Sequence, residues 1–236
     1  MMAVRRAARD LPRRARMCSP EWTRPGQKSS LRRLRLGTPQ VVACRPGRGA
    51  ASGLRAVASW VVADPGAESA LVVEVPEAEA AVARHRERLD ENAAMGIPAH
   101  ITVIAPFLLP AGIGPPVLDE LSRLFGGVPR FRFRLARTAW FGDRVLWLAP
   151  DDPAPFRALT GRAFAAFPAC PPYGGQHEDV IPHLTVGLQQ PLAEMRAAEE
   201  SLRPQLPIEA HATAVTLLVG PASGGQWTRT ARFPLA

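Results

Sequence analysis

The chain has 236 residues, 47% of them hydrophobic, and a formal net charge of +8, which fits one large globular domain or two small ones. That charge is unevenly shared: residues 1–56 hold 14 Arg and Lys against only Asp10 and Glu21, a net +12, whereas residues 57–236 carry a net −4. Three scattered cysteines without a Cys-x-x-Cys spacing (Cys18, Cys44, Cys170) argue against a disulfide scaffold and a Cys-based zinc site, and no run approaches the 18 apolar residues of a membrane span.

Residues 1–56 read as a disordered Arg-rich leader. Arginine pairs (Arg5-Arg6, Arg13-Arg14, Arg32-Arg33) are mixed with Pro, Gly and Ser, no apolar period is sustained, and the apolar stretch of a secretory signal is missing. A dispensable tail, a mis-assigned translation start, an RNA-attracting basic arm and an organelle transit segment all remain open for it. One Lys (Lys28) against 28 arginines is the imprint of GC-rich coding, so arginine content alone does not argue for nucleic-acid binding. The expected location is cytoplasmic, with no membrane attachment and no obligate protein partner readable.

The folded part, residues 57–236, takes shape between Ala58 and Ala70. Ala70–Val75 reads as a strand, and Pro76 opens a helix to about Asn92 with Ala78, Val82, His85 and Leu89 on its apolar side. Pro98–Ala105 is a strand, and a helix follows over Pro116–Phe125. Arg130–Leu135 alternates Arg-Phe-Arg-Phe-Arg-Leu, a half-buried strand with Arg132 and Arg134 outward. Gly142-Asp143 turns a hairpin between Thr138–Phe141 and Arg144–Leu148. Asp152 and Pro153 start a helix marked by Phe156, Leu159, Ala163 and Phe167. The polar loop Pro171–Asp179 leads into a strand at Ile181–Leu188, a helix at Pro191–Leu202, and closing strands near Ala210–Val219 and Gln226–Phe233. The order suggests two similar α/β lobes meeting at a cleft.

Two of these strands share a motif. His100-Ile101-Thr102-Val103 returns as His183-Leu184-Thr185-Val186, each after an Ile-Pro pair: Ile97-Pro98 one residue earlier, Ile181-Pro182 directly before. In a strand the His and the Thr two residues on face the same side, roughly 7 Å apart, while the apolar residues face the other. Two such strands offer two imidazoles and two hydroxyls to one small anionic group. Breaking a phosphodiester needs two proton movements, and a pair of groups titrating near 6.5 can hold one proton between them. Threonine hydroxyls can donate to the non-bridging phosphate oxygens. No carboxylate cluster with ligand spacing and no Gly-rich phosphate loop accompanies the motifs, so the simplest chemistry is acid–base catalysis without metal or cofactor. The third His-x-Thr, His211-Ala212-Thr213, lacks the large middle residue and the preceding Pro, and reads as a surface strand.

The two motifs, with A-P-F after the first, P-H-L-T-V at 182–186, and the tail Ala214–Leu235 (A-V-T-L-L-V-G-P … G-Q-W … F-P-L), resemble the two-histidine phosphoesterase superfamily, in its 2′-5′ RNA ligase-like (LigT-like) branch. The likeness covers residues 68–236. It implies an α+β, pseudo-symmetric bilobal fold, with two antiparallel-rich sheets flanking a central cleft and helices outside. It also implies hydrolysis of 2′,3′-cyclic or related cyclic phosphodiesters at RNA ends or nucleotides, with His100 as proton donor, His183 as acceptor and Thr102 and Thr185 holding phosphate. The family includes enzymes that form or open 2′-5′ linkages, and a silent nucleotide-binding module is the alternative outside catalysis. Tyr173 and His177 stand where they can line the cleft or lie on the loop surface. Trp140 and Trp227 can stack a base but default to packing, and His85 reads as a packed residue of its helix.

Overall fold

The strand beside the first motif is buried on both faces. In Ala67–Glu74 (β1), Leu71 and Val73 are fully buried on one side, while Ala70 and Val72 lie on the other. The computed structural model describes residues 66–176 and 179–236; the leader 1–56 and His177 lie outside the described residues. After β1 come α1 (Pro76–Leu89), a short helix α2 (Glu91–Ala94), β2 (His100–Ile104), α3 (Pro115–Gly126), β3 (Phe131–Phe141), β4 (Val145–Pro150) and α4 (Ala154–Ala166). The rest is β5 (Leu184–Leu188), α5 (Leu192–Leu202), β6 (Ile208–Ala212), β7 (Ala214–Pro221) and β8 (Thr228–Pro234).

The strands form two four-stranded antiparallel sheets, ordered β2-β1-β7-β8 and β5-β4-β3-β6. The molecule is therefore α+β, with the same plan in each half. A motif strand sits at the edge of its sheet, paired with the strand that precedes it in the chain. The two edges meet, since β2 contacts β5. One apolar core runs through both halves: Ile101 and Val103 from β2 join Leu184 and Val186 from β5, with α1 packed on β5 and α4 on β2. Each fully buried Leu or Ile there contributes roughly 1.5–3 kcal/mol. A smaller cluster of Ala70, Val72, Ile97 and Leu218, with Trp227 against it, covers the opposite face of the first sheet. Among the described residues, no helix is long and apolar enough to cross a membrane.

The structure departs from the sequence reading in four places, each for a local reason. The helix expected to Asn92 breaks at Asp90, which takes an extended backbone; its carboxylate accepts the Asn92 N–H and starts α2. On α1 the third buried position is Arg86 rather than His85, which is half-exposed and hydrogen-bonded to Ser201 at 2.8 Å. Arg130–Leu135 and Thr138–Phe141 are one strand, β3, in which a bulge between Leu135 and Arg137 switches the alternation. The expected strand Ala210–Val219 is two strands in different sheets, β6 and β7, divided at Thr213. The apolar residues bury on both sides of that crossing, which is why the pattern ran through it.

Candidate functional site

Pro182 has no amide proton to give a ladder, and pairing of the second motif strand begins only at Leu184, opposite Leu148. His183 thus stands just before β5, whereas His100 is the first residue of β2, opposite Glu74. Despite that difference the two imidazoles are held alike. His100 Nδ1 lies 2.8 Å from the Pro98 carbonyl oxygen and His183 Nδ1 lies 2.7 Å from that of Ile181, both two residues back in the chain. A carbonyl can only accept, so Nδ1 carries the proton and donates it in both rings, leaving Nε2 as the nitrogen free to act. Ile97-Pro98 and Ile181-Pro182 are consequently not equivalent in space: Pro98 matches Ile181, and Ile97 matches Val180.

Thr102 and Thr185 are half-buried, on the same side of their strands as their histidines, while Ile101, Val103, Leu184 and Val186 are buried behind. The strands that follow from the two histidines, β2 and β5, are in contact. Both imidazoles titrate below the ordinary histidine range. For His100 the largest cause is desolvation; the Pro98 carbonyl opposes it, Arg86 pushes further down, Asp90 pushes up, and His183 pushes down. For His183 desolvation again leads, opposed by the Ile181 carbonyl. Burial thus favours the uncharged form of both imidazoles at neutral pH, each with a lone pair on Nε2.

An aromatic wall surrounds His183. Phe141 meets it edge-on at 5.0 Å, Trp147 at 5.7 Å, and Tyr173 stacks at 6.5 Å. Tyr173 is thus a site neighbour, held at a positive φ of 52°. Phe141 and Trp147 are not among the residues the sequence singles out; the register that faces Trp147 to Thr185 across the β4–β5 ladder is set by the fold, and no sequence signal marks it. Glu74, opposite His100, is engaged by the Arg229 guanidinium at 2.9 Å. Burial would raise its carboxyl, but Arg229, Thr216 and Arg232 outweigh that and lower it.

The other residues singled out fall elsewhere. His211 pairs with Glu77 on the surface, and Thr213 accepts from Arg232. Arg134 is exposed and pairs with Asp151, and Arg132 is exposed. Trp140 packs partly into the core beneath the guanidinium of Arg196, at 4.3 Å. Trp227 lies flat on β7, where any side chain at Gly220 would meet its ring.

The sequence profile of the 2′-5′ RNA ligase superfamily matches residues 74–222. No curated protein matches the chain. Among solved structures, E. coli LigT complexed with 3′-AMP is similar at 20% identity over 72% of this chain and 98% of LigT, with a TM-score of 0.43. The protein TT0787 of Thermus thermophilus is similar at 19% identity over 71% of this chain and 97% of its own, with a TM-score of 0.49.

Proposed function

The chain belongs to the 2′-5′ RNA ligase superfamily, a family of phosphoesterase and ligase-like enzymes, and on that premise we propose that it hydrolyses 2′,3′-cyclic or related cyclic phosphodiesters of RNA ends or nucleotides without a metal. The observation that carries the reading is the matched pair of imidazoles: each gives Nδ1–H to a carbonyl two residues back, at the starts of two motif strands that are in contact.

Arrival of an anionic phosphodiester favours the charged form of a nearby imidazole, so the neutral pair takes up one proton on binding. His183 Nε2 then removes a proton from the attacking water as its oxygen bonds to phosphorus. His100 Nε2–H delivers a proton to the ribose oxygen as the phosphorus–oxygen bond to it breaks. The product is a phosphomonoester with one free ribose hydroxyl. Water's two hydrogens are accounted for: one is on His183, and the other stays on the new phosphate oxygen. The Thr102 and Thr185 hydroxyls donate to the non-bridging oxygens, where negative charge grows. The catalytic unit is residues 57–236, with segment 1–56 dispensable to it.

The test is incubation of the purified protein, with EDTA present, on 2′,3′-cyclic nucleotides and on RNA half-molecules bearing a 2′,3′-cyclic end. The expected product is the monoester, at a rate EDTA does not change. A longer 2′-5′-joined RNA would replace hydrolysis by end joining as the activity, and saturable nucleotide binding without any product would make the protein a binding module.

A further inference from the structure

Each histidine depends on a carbonyl two residues back, and that carbonyl belongs to a segment outside regular structure. In both halves an arginine from a helix earlier in the chain holds the carbonyl one residue before that one. Arg86 of α1 donates Nη2–H to the Ile97 carbonyl at 3.1 Å, and Arg157 of α4 donates Nε–H to the Val180 carbonyl at 3.0 Å. Ile97 and Val180 are both three residues before their histidine. The repeat is one of geometry, since no sequence likeness joins the two arginines: Arg86 lies near the end of its helix and Arg157 in the first turn of its own.

We propose that Arg86 and Arg157 are matched positioning residues, each fixing the backbone whose carbonyl holds its histidine's Nδ1–H and so aiming Nε2 at a shared anion. The inference rests on the proposed two-histidine chemistry for its purpose, but not for its structural claim. A carbonyl held by a guanidinium keeps its peptide plane, and only one residue's φ and ψ separate that plane from the next carbonyl, with φ already fixed by the ring at Pro98, so the acceptor of the histidine is left fewer orientations. An imidazole whose acceptor can rotate away loses both its tautomer and its direction.

The clamps differ in cost. Arg157 is exposed, and water solvates its charge. Arg86 is 2% exposed, and Asp90 balances it through Nε at 3.1 Å and Nη2 at 2.9 Å. The second oxygen of Asp90 accepts from the backbone and side-chain amides of Asn92, so both carboxylate oxygens are satisfied. The same approach to His100 is held from the same helix by Glu79, which accepts the Ala99 N–H at 2.7 Å.

The test reads side-chain nitrogen NMR of both histidines in the full-length protein, beside kinetics on a 2′,3′-cyclic nucleotide. Wild type is expected to show the Nδ1–H tautomer at both rings at a pH where they are neutral. Arg157→Ala, at an exposed site, is expected to fold with unchanged Tm, release His183 alone into a tautomer mixture, and lower kcat roughly tenfold or more with little change in KM; Arg157→Lys, which keeps one donor, should recover part of the loss. Arg86→Met with Asp90→Leu, which removes the charges together, should do the same to His100 alone. Unchanged tautomers in Arg157→Ala would overturn the proposal even if the Arg86 double variant fails to fold. Tautomer release in a protein that cleaves no cyclic phosphodiester would uphold the clamps and refute the proposed activity instead.

Discussion

A histidine with Nδ1–H engaged by a backbone carbonyl has one nitrogen left for chemistry, and both His100 and His183 are in that state. Their lowered pKa values fix the sign of the pH dependence. Above both values neither free ring carries the proton an acid needs; below both, neither has the lone pair a base needs. Profiles of kcat/KM against pH are therefore expected to be bell-shaped, with their maximum below the ordinary histidine value of 6.5. A maximum above pH 7 would contradict this. The threonines are tested by Val, which keeps the shape and removes the hydroxyl. In the proposed mechanism Thr102→Val and Thr185→Val would each remove one hydrogen bond to a charged oxygen, about 1.5–3 kcal/mol, so each is expected to lower kcat/KM roughly 10- to 100-fold while Tm holds. Equal rates in the Val variants would take the hydroxyls out of the site.

Among the elements, α5 shares a buried carboxylate with the second sheet. Glu199, 5% exposed, accepts from Thr138 of β3 at 2.9 Å and pairs with Arg196 and Arg203 at 3.0 and 3.1 Å. Burial alone would raise its carboxyl, but Thr138, Trp140, Arg196 and Arg203 hold it down at about 2. Because the folded value lies below the unfolded one, this stabilisation is full above pH 4.5 and is lost as pH falls toward 2. Glu199→Gln is expected to cost about 1–3 kcal/mol at pH 7 and to flatten the acid limb of a Tm–pH curve; an acid limb identical to wild type would show that the carboxylate's charge does not matter. At the other edge of the fold, Gly220 lets the Trp227 ring lie against β7. A Cβ there would run into the indole, so Gly220→Ala should lower Tm by displacing Trp227 from the cluster of Ala70, Val72, Ile97 and Leu218. Fluorescence of the displaced tryptophan is the check, and an unmoved spectrum with wild-type Tm would count against the packing described.

At the scale of the whole molecule, the chain lays down half of one sheet, all of the other, and then returns to finish the first. What made the motifs legible is that β2 and β5 are strand edges with one face in the core: Ile101, Val103, Leu184 and Val186 had to alternate with the polar residues they hold in place. The crossing at Thr213 was illegible because Ala212 and Ala214, on either side of it, are both buried, so the run of small and apolar residues never signals a change of sheet. Arg86 was hidden for the opposite reason. A charged residue is not expected in an apolar helix stripe, and only the partner four residues on, Asp90, makes its burial tolerable. The aromatic wall at His183 joins residues from β3, β4 and the loop before β5, and sequence spacing carries no trace of that meeting.

We propose that residues 1–56 are dispensable to the catalytic unit. Removing them is expected to leave Tm and turnover unchanged; a loss of RNA-end turnover alone would make that segment a substrate arm. Convergence of the two imidazoles on one phosphorus centre is tested most directly by monoester release from a 2′,3′-cyclic nucleotide, measured for His100→Ala and His183→Ala proteins that keep the wild-type Tm. Each single variant is predicted to lose turnover altogether while wild type releases monoester in the presence of EDTA. Undiminished release by either variant would contradict a two-histidine site.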